Sequence, residues 1–181
     1  MTIDGEPDGG LARLAKLGDR AAFEKLMRAH KAQIYRLARR YAGDSDDAYD
    51  LTQETFISAW RAIGRFDPDR SFATWIKAIA INKCRDFSRR ASTRRFFLRA
   101  FAAEPVQPSA PEFQDRGDRL DLAIAKLPPK YKEPLLLTTV GGLSHQEAAW
   151  ALHLSPKAVE MRLHRARKRL SEFIGEGGGE G

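Results

Sequence analysis

Apolar residues recur along most of the chain at intervals of three and four, the spacing that lines one side of an α-helix. Leu11, Leu14 and Leu17 open the pattern, Gly18 and Asp19 break it, and Asp19 stands where it can cap the next helix. That helix carries Phe23, Leu26, Met27, Ile34, Leu37, Ala38 and Tyr41 as a core stripe. Its other side, with Arg28, Lys31, Arg36, Arg39 and Arg40, is either a solvated face or a support for DNA or a partner. Gly43 ends the helix, and Asp44, Ser45 or Asp46 can cap the segment that runs on to Ile63. Leu51, Thr55, Ile57 or Ser58, and Ala62 form its stripe, flanked by Phe56 and Trp60, while Asp47, Asp50, Gln53 and Glu54 lie on the outer face. GRFDPDR, residues 64–70, has the glycine and proline of a turn. Ser71 then caps a helix expected over Phe72 to Arg90, with Phe72, Trp75, Ile76, Ile79, Ala80, Lys83 and Phe87 on one side. By spacing alone, Trp75 belongs to the core more readily than to a platform for a base.

Past Ala91 the periodicity fades into ASTRRFFLRAF, and Pro105, Pro108 and Pro111 follow at regular intervals in an extended, polyproline-like linker. Periodicity returns with Leu120, Ala123, Ile124 and Leu127, stopped by Pro128 and Pro129. The next helix carries Leu135, Leu136 and Val140, and Pro134 inside it predicts a kink or a late start. Ser144 and Glu147 form a capping box for a helix through about Leu152. After a turn at His153 and Leu154, Ser155 caps a helix whose first residue is Pro156 and whose inner side is Val159, Leu163, Ala166 and Leu170. Two helices across a tight turn, the second with a basic outer face, make a helix-turn-helix. The expected organisation is all-α: a loose tail over 1–10, a first helical domain over 11–91, a linker over 92–117, a second domain over 118–174 and a flexible tail over 175–181.

Composition adds a partner class. The 181 residues carry a formal charge of +7, and arginines crowd two helix ends, which suits a polyanion such as nucleic acid. The single cysteine, Cys84, makes no internal disulfide and points to a reducing compartment. No secretory h-region and no apolar run of about 18 residues occurs, so a cytoplasmic protein without membrane insertion is expected. His30, His145, His153 and His164 combine with Cys84 in no ligand spacing, and no phosphate-cradling, HExxH or GxSxG motif is present. Neither a metal, a cofactor nor a catalytic residue is expected, and an enzyme is the weakest reading.

DLTQETF followed by AW, and then FATWIKAIAINKCRDFSRR, resembles region 2 of bacterial sigma factors of the extracytoplasmic-function (ECF) group, in the sigma-70 family. GLSHQEAAWALHLSPKAVEMRLHRARKRL resembles region 4 of the same group. The resemblance spans about residues 20–90 and 118–172. It implies two helical domains that bind core RNA polymerase, on the clamp helices of the largest subunit and the flap of the second, and recognise promoter DNA. On the clamp side it implicates Asp47, Asp50, Gln53, Glu54 and Phe56. For recognition and melting of the −10 element it implicates the loop Phe66, Asp67, Pro68, Asp69, Arg70 and Ser71, with Trp75 and Asn82. Arg85, Arg89 and Arg90 would hold phosphates, with Arg94 and Arg95 behind them. For the −35 element it implicates Lys157, Glu160, Met161, Arg162, His164 and Arg165, with Lys168 following the backbone. An anti-sigma factor that holds the domains inactive is also implied. Two departures stand out: His153 sits where a turn glycine is usual, and Glu160 and Met161 replace residues that are usually basic and small. The rival readings are a sigma-like adaptor or decoy in a signalling cascade, and a one-component helix-turn-helix regulator.

Overall fold

A computed structural model describes residues 7–101 and 116–176, and among these the chain is helical with no strand. In order come α1 (Pro7–Lys16), α2 (Arg20–Ala42), α3 (Ser45–Ala62), a 3₁₀ turn (Ile63–Arg65), α4 (Phe72–Phe101), α5 (Arg116–Lys126), α6 (Pro129–Thr139), α7 (His145–Leu152) and α8 (Pro156–Glu176). The proline linker around Pro105, Pro108 and Pro111, the first six residues and the end of the glycine-rich tail lie outside the described residues.

Local chemistry sets most boundaries. The Asp19 carboxylate accepts from the Ala22 N–H at 3.1 Å to start α2, and Gly43 closes that helix with a left-handed φ of 83°. Asp44 is the cap of α3, accepting from the N–H groups of Asp46 at 2.8 Å and Asp47 at 3.0 Å. Ser71 Oγ receives the Thr74 N–H at the head of α4, and the Ser144 and Glu147 box is complete at the head of α7. Pro134 lies inside α6, which begins at Pro129, so the late start is not seen; its ring nitrogen leaves the Lys130 carbonyl without the usual helical donor.

Two boundaries differ from expectation. Helix α1 begins at Pro7, taking in residues expected in a loose tail, and it buries Ala12 and Ala15 while Leu14 and Leu17 face solvent at 49% and 86% exposure. Small side chains let α1 lie close on α2, which a leucine stripe would hold away. Helix α4 runs to Phe101, eleven residues past the expected end at Arg90 and well into the expected linker. Arginine, alanine and leucine favour a helix without any apolar stripe to announce it.

The core is continuous through both halves. Leu26, Ile34 and Leu37 of α2 pack with Phe72, Ile76 and Ile81 of α4, and the same cluster extends to Leu136 and Leu137 of α6 and Val159 and Leu163 of α8. Each such side chain contributes about 1.5–3 kcal/mol by leaving water. Thr52 and Thr55 sit in this core because their hydroxyls donate back to the Ala48 and Leu51 carbonyls, both at 2.7 Å. Helices α5 and α6 pack on α2, and α6 and α7 pack on α4, so the C-terminal helices rest against the N-terminal ones.

Candidate nucleic-acid interface

Three surfaces hold the candidate residues. On α3, Asp50, Gln53 and Glu54 are exposed and Asp47 is half-buried, whereas Phe56 is only 6% exposed. Phe56 therefore belongs to the packing beneath this face and not to its contact surface, a correction to the sequence reading. Its carboxylates repel one another: burial, then Asp44, Asp50 and Asp46, push the Asp47 carboxyl above its usual range. N–H donors from Asp47 and Asp46 hold Asp44 below its usual range. Tyr49 and Ile57, at 51% and 49% exposure, share the helical row of Gln53 beside the acids. Tyr49 was missed by the sequence reading, although its spacing of four from Gln53 carried the signal.

The loop before α4 is built on an aromatic cluster. Phe66 is buried, with its ring 5.1 Å from Trp75 and 5.8 Å from Phe72. It too is a core residue, not a base contact, because the turn at Gly64 folds it inward onto α4. Its carbonyl accepts from Lys16 Nζ at 2.8 Å, tying the loop to α1. Trp75 is half-buried against the same rings. Asp67 folds the loop on itself, accepting from the Asp69 N–H at 3.1 Å and pairing with Arg70 at 3.4 Å. Asp67, Asp69 and Arg70 are exposed at the rim, and Pro68 and Ser71 are half-buried.

Along α4, Asn82, Arg85 and Arg89 follow one another at spacings of three and four on one face. Asn82 is exposed, and its carbonyl oxygen accepts from Arg85 at 3.1 Å. Arg85 is engaged further: its Nε and a terminal nitrogen donate to Glu133 of α6 at 3.0 and 2.6 Å. That hydrogen bond raises the guanidinium pKa further. Arg89 pairs with Asp86, and Arg90 is exposed beyond it. The side chains of Arg94 and Arg95 lie outside the described ones.

On α8 the candidates do share one surface. Lys157, Glu160, Met161, His164, Arg165 and Lys168 are exposed at spacings of three and four, opposite the buried Val159, Leu163 and Ala166; Arg162 is half-buried at the edge. His153 takes the left-handed turn at φ 55° and ψ 47°, doing with a side chain what glycine does freely. Tyr131, not singled out by periodicity, underlies the basic row, with Arg169 5.2 Å and Lys130 5.0 Å from its ring. The Arg165 guanidinium beside its phenol lowers the Tyr131 pKa. This surface presents cations over a helix-turn-helix, as major-groove docking needs.

The chain matches the family models Sigma-70 region 2 over residues 26–94 and Sigma-70, region 4 over residues 117–170. It is 37% identical over 180 residues to the RNA polymerase sigma factor NccH of Alcaligenes xylosoxydans xylosoxydans, covering 94% of this chain and 96% of that one. It is 36% identical over 185 residues to the RNA polymerase sigma factor CnrH of Cupriavidus metallidurans, covering 93% and 95%. The solved structure of CnrH in complex with the cytosolic domain of CnrY superposes with a TM-score of 0.74 at 34% identity, over 94% of this chain and 99% of that one.

Proposed function

The chain belongs to the ECF group of the sigma-70 family of RNA polymerase sigma factors, and on that premise we propose that it is a transcription initiation factor. It binds core RNA polymerase, directs it to promoters through −10 and −35 elements, and melts the −10 element. The observation that carries this reading is the sequence of three surfaces on one chain: an exposed acidic face on α3, a capped loop leading into the arginine-bearing α4, and a cationic helix-turn-helix at α7 and α8. A one-component repressor has no use for the first two.

Asp50, Gln53 and Glu54, with Asp47 beside them, offer carboxylates and an amide to the clamp helices of the largest subunit. Unstacking a base costs a few kcal/mol, offset by a pocket at the loop rim and by phosphate contacts along α4. Asp67, Asp69, Arg70 and Asn82 supply the polar rim, and Arg85, Arg89 and Arg90 the phosphate contacts. The α8 row reads the −35 element, with Arg165 towards guanine or phosphate and Glu160 able to accept from a cytosine amino group. RNA synthesis itself belongs to the polymerase, so this chain acts by binding and is not an enzyme. Among the described residues no helix is long and apolar enough to cross a membrane. A cytoplasmic site of action and restraint by an anti-sigma factor fit the relative CnrH, whose structure holds the cytosolic domain of another protein.

The test is equilibrium binding of the full chain to core polymerase, comparing it with Asp50→Asn/Glu54→Gln. Two exposed charges at roughly 0.5–1 kcal/mol each predict a loss of about five- to thirtyfold. Unchanged affinity would remove α3 from the polymerase contact.

A further inference from the structure

We infer that Lys130, Tyr131 and Arg169 form a seat for the phosphate backbone of the −35 duplex, a binding site built jointly by α6 and α8 and additional to the row from Lys157 to Arg165. The inference rests on the sigma reading above and extends its −35 contact. The Tyr131 ring is the platform. Lys130 Nζ lies 5.0 Å from its centroid and the Arg169 guanidinium 5.2 Å, and the Arg165 guanidinium stands beside the phenol. Tyr131 itself is buried at 5% exposure in the apolar cluster with Leu135 and Leu163, which fixes the platform, whereas Lys130 and Arg169 are exposed. An aromatic face steadies a cationic head while leaving N–H groups free to donate outward, so less freedom is lost when an anion arrives.

Cations gathered on one ring repel one another, and Arg165 and Arg169, four apart on α8, are a like-charge pair that destabilises a helix. The ion pairs among the described residues include none of the three. Glu133, two residues from Tyr131, is turned to Arg85, and the exposed Glu172 is paired with neither arginine. Neutralising the cluster therefore falls to a group outside the chain. Position selects that group. From Lys157 to Arg169 the α8 axis runs about 18 Å at 1.5 Å per residue, whereas the major groove is about 12 Å wide. With the head of α8 in the groove, Arg169 stands past its edge, level with the sugar–phosphate backbone. Lys130 comes up from the first turn of α6, where the helix end adds partial positive charge. A phosphate carries no sequence information, so this seat fixes register and affinity and leaves base choice to Arg165 and Glu160.

The full chain is titrated by fluorescence anisotropy, from about 0.05 to 0.2 M salt, with a random-sequence duplex and with the −35 duplex of a promoter selected in run-off transcription. Each phosphate neutralised contributes a slope of about 0.9 in log K against log salt, which amounts to about fifteenfold in affinity at 0.05 M and about fourfold at 0.2 M. Arg169→Gln and Lys130→Gln should each flatten the slope by about that amount on both duplexes. Lys25→Gln, which removes an equal charge from the exposed side of α2, should leave it unchanged. In a Tyr131→Leu background, without the aromatic platform, the further cost of Arg169→Gln should shrink. With single neutral methylphosphonates stepped along each strand, at least one position should weaken wild type and leave Arg169→Gln unaffected. An unchanged slope in either variant, or methylphosphonates that weaken Arg169→Gln as much as wild type at every position, overturns the seat. Weaker binding to core polymerase with unchanged slopes would give the cluster to a protein surface and overturn it too. Wild type inactive in run-off transcription refutes the sigma reading alone, because the slopes on random duplex need no promoter.

Discussion

Replacing Phe66 by alanine distinguishes a packing residue from a base-reading one. The ring is 2% exposed and meets Phe72 at 5.8 Å and Trp75 at 5.1 Å. Truncating a buried phenylalanine costs about 3–5 kcal/mol, of which two aromatic pairings account for roughly 1–3. Total stability of such a domain is about 5–15 kcal/mol, so Phe66→Ala removes a large part of it. In urea, with an m-value of about 2 kcal/mol/M, the midpoint should fall by roughly 2 M. Phe66→Leu keeps most of the site filled but loses both ring pairings, and should shift the midpoint by roughly 0.5–1.5 M. Its ability to open a −10 element in permanganate footprinting with core polymerase should persist. If Phe66→Ala keeps the wild-type midpoint and Phe66→Leu abolishes opening, the ring touches DNA and the packing argument is wrong.

Other sites give sharp expectations. A Cβ at Gly141 would lie 2.5 Å from the Leu137 carbonyl oxygen, so Gly141→Ala should cost about 1–3 kcal/mol in denaturant melts; an unchanged midpoint would contradict the geometry. At His153, held at φ 55°, thermal melts should rank glycine above histidine and histidine above valine. A left-handed conformation costs an L-residue about 1–2 kcal/mol and glycine almost nothing, less the chain entropy glycine adds when unfolded. Burial works to raise the Glu147 carboxyl, but hydrogen bonds from Ser144 and Thr74, with Lys77 nearby, hold it below its ordinary 4.5. A depressed carboxyl stabilises the fold at pH above that ordinary value, and the contribution is lost as pH falls through the folded value. Urea midpoints taken from about pH 6 down to pH 3 should therefore fall more for wild type than for Glu147→Gln; parallel curves would refute this.

Much of this arrangement is written in local chemistry. Caps at Asp19, Ser71 and Ser144, and the helix-turn-helix after Gly142, are short-range patterns in which each residue's partner lies within four positions. What escaped sequence reading depends on distance along the chain. Arg85 and Glu133 are 48 residues apart, and Thr74 and Glu147 are 73 apart, so no periodicity reveals that α6 and α7 pack on α4. Phe56 and Phe66 were assigned to contact surfaces by resemblance, although an aromatic next to a functional face is as well suited to support it from below. Leu14 and Leu17 misled in the opposite direction: spacing marked them as core, yet Ala12 and Ala15 allow the closer approach. The last turns of α4 carried a propensity signal in arginine, alanine and leucine that an apolar stripe would have made plain. On α8, Glu160 and Met161 are exposed as expected.

The central claim is that this chain gives core RNA polymerase its promoter. Run-off transcription with purified core polymerase on a library of randomised promoters, with and without the full chain, tests it most directly. The account predicts chain-dependent transcripts enriched for a two-element promoter, with both elements lost when Arg165→Ala and Arg89→Ala/Arg90→Ala are combined. Transcripts that never depend on the chain, while it binds a palindromic duplex by itself, would contradict the account.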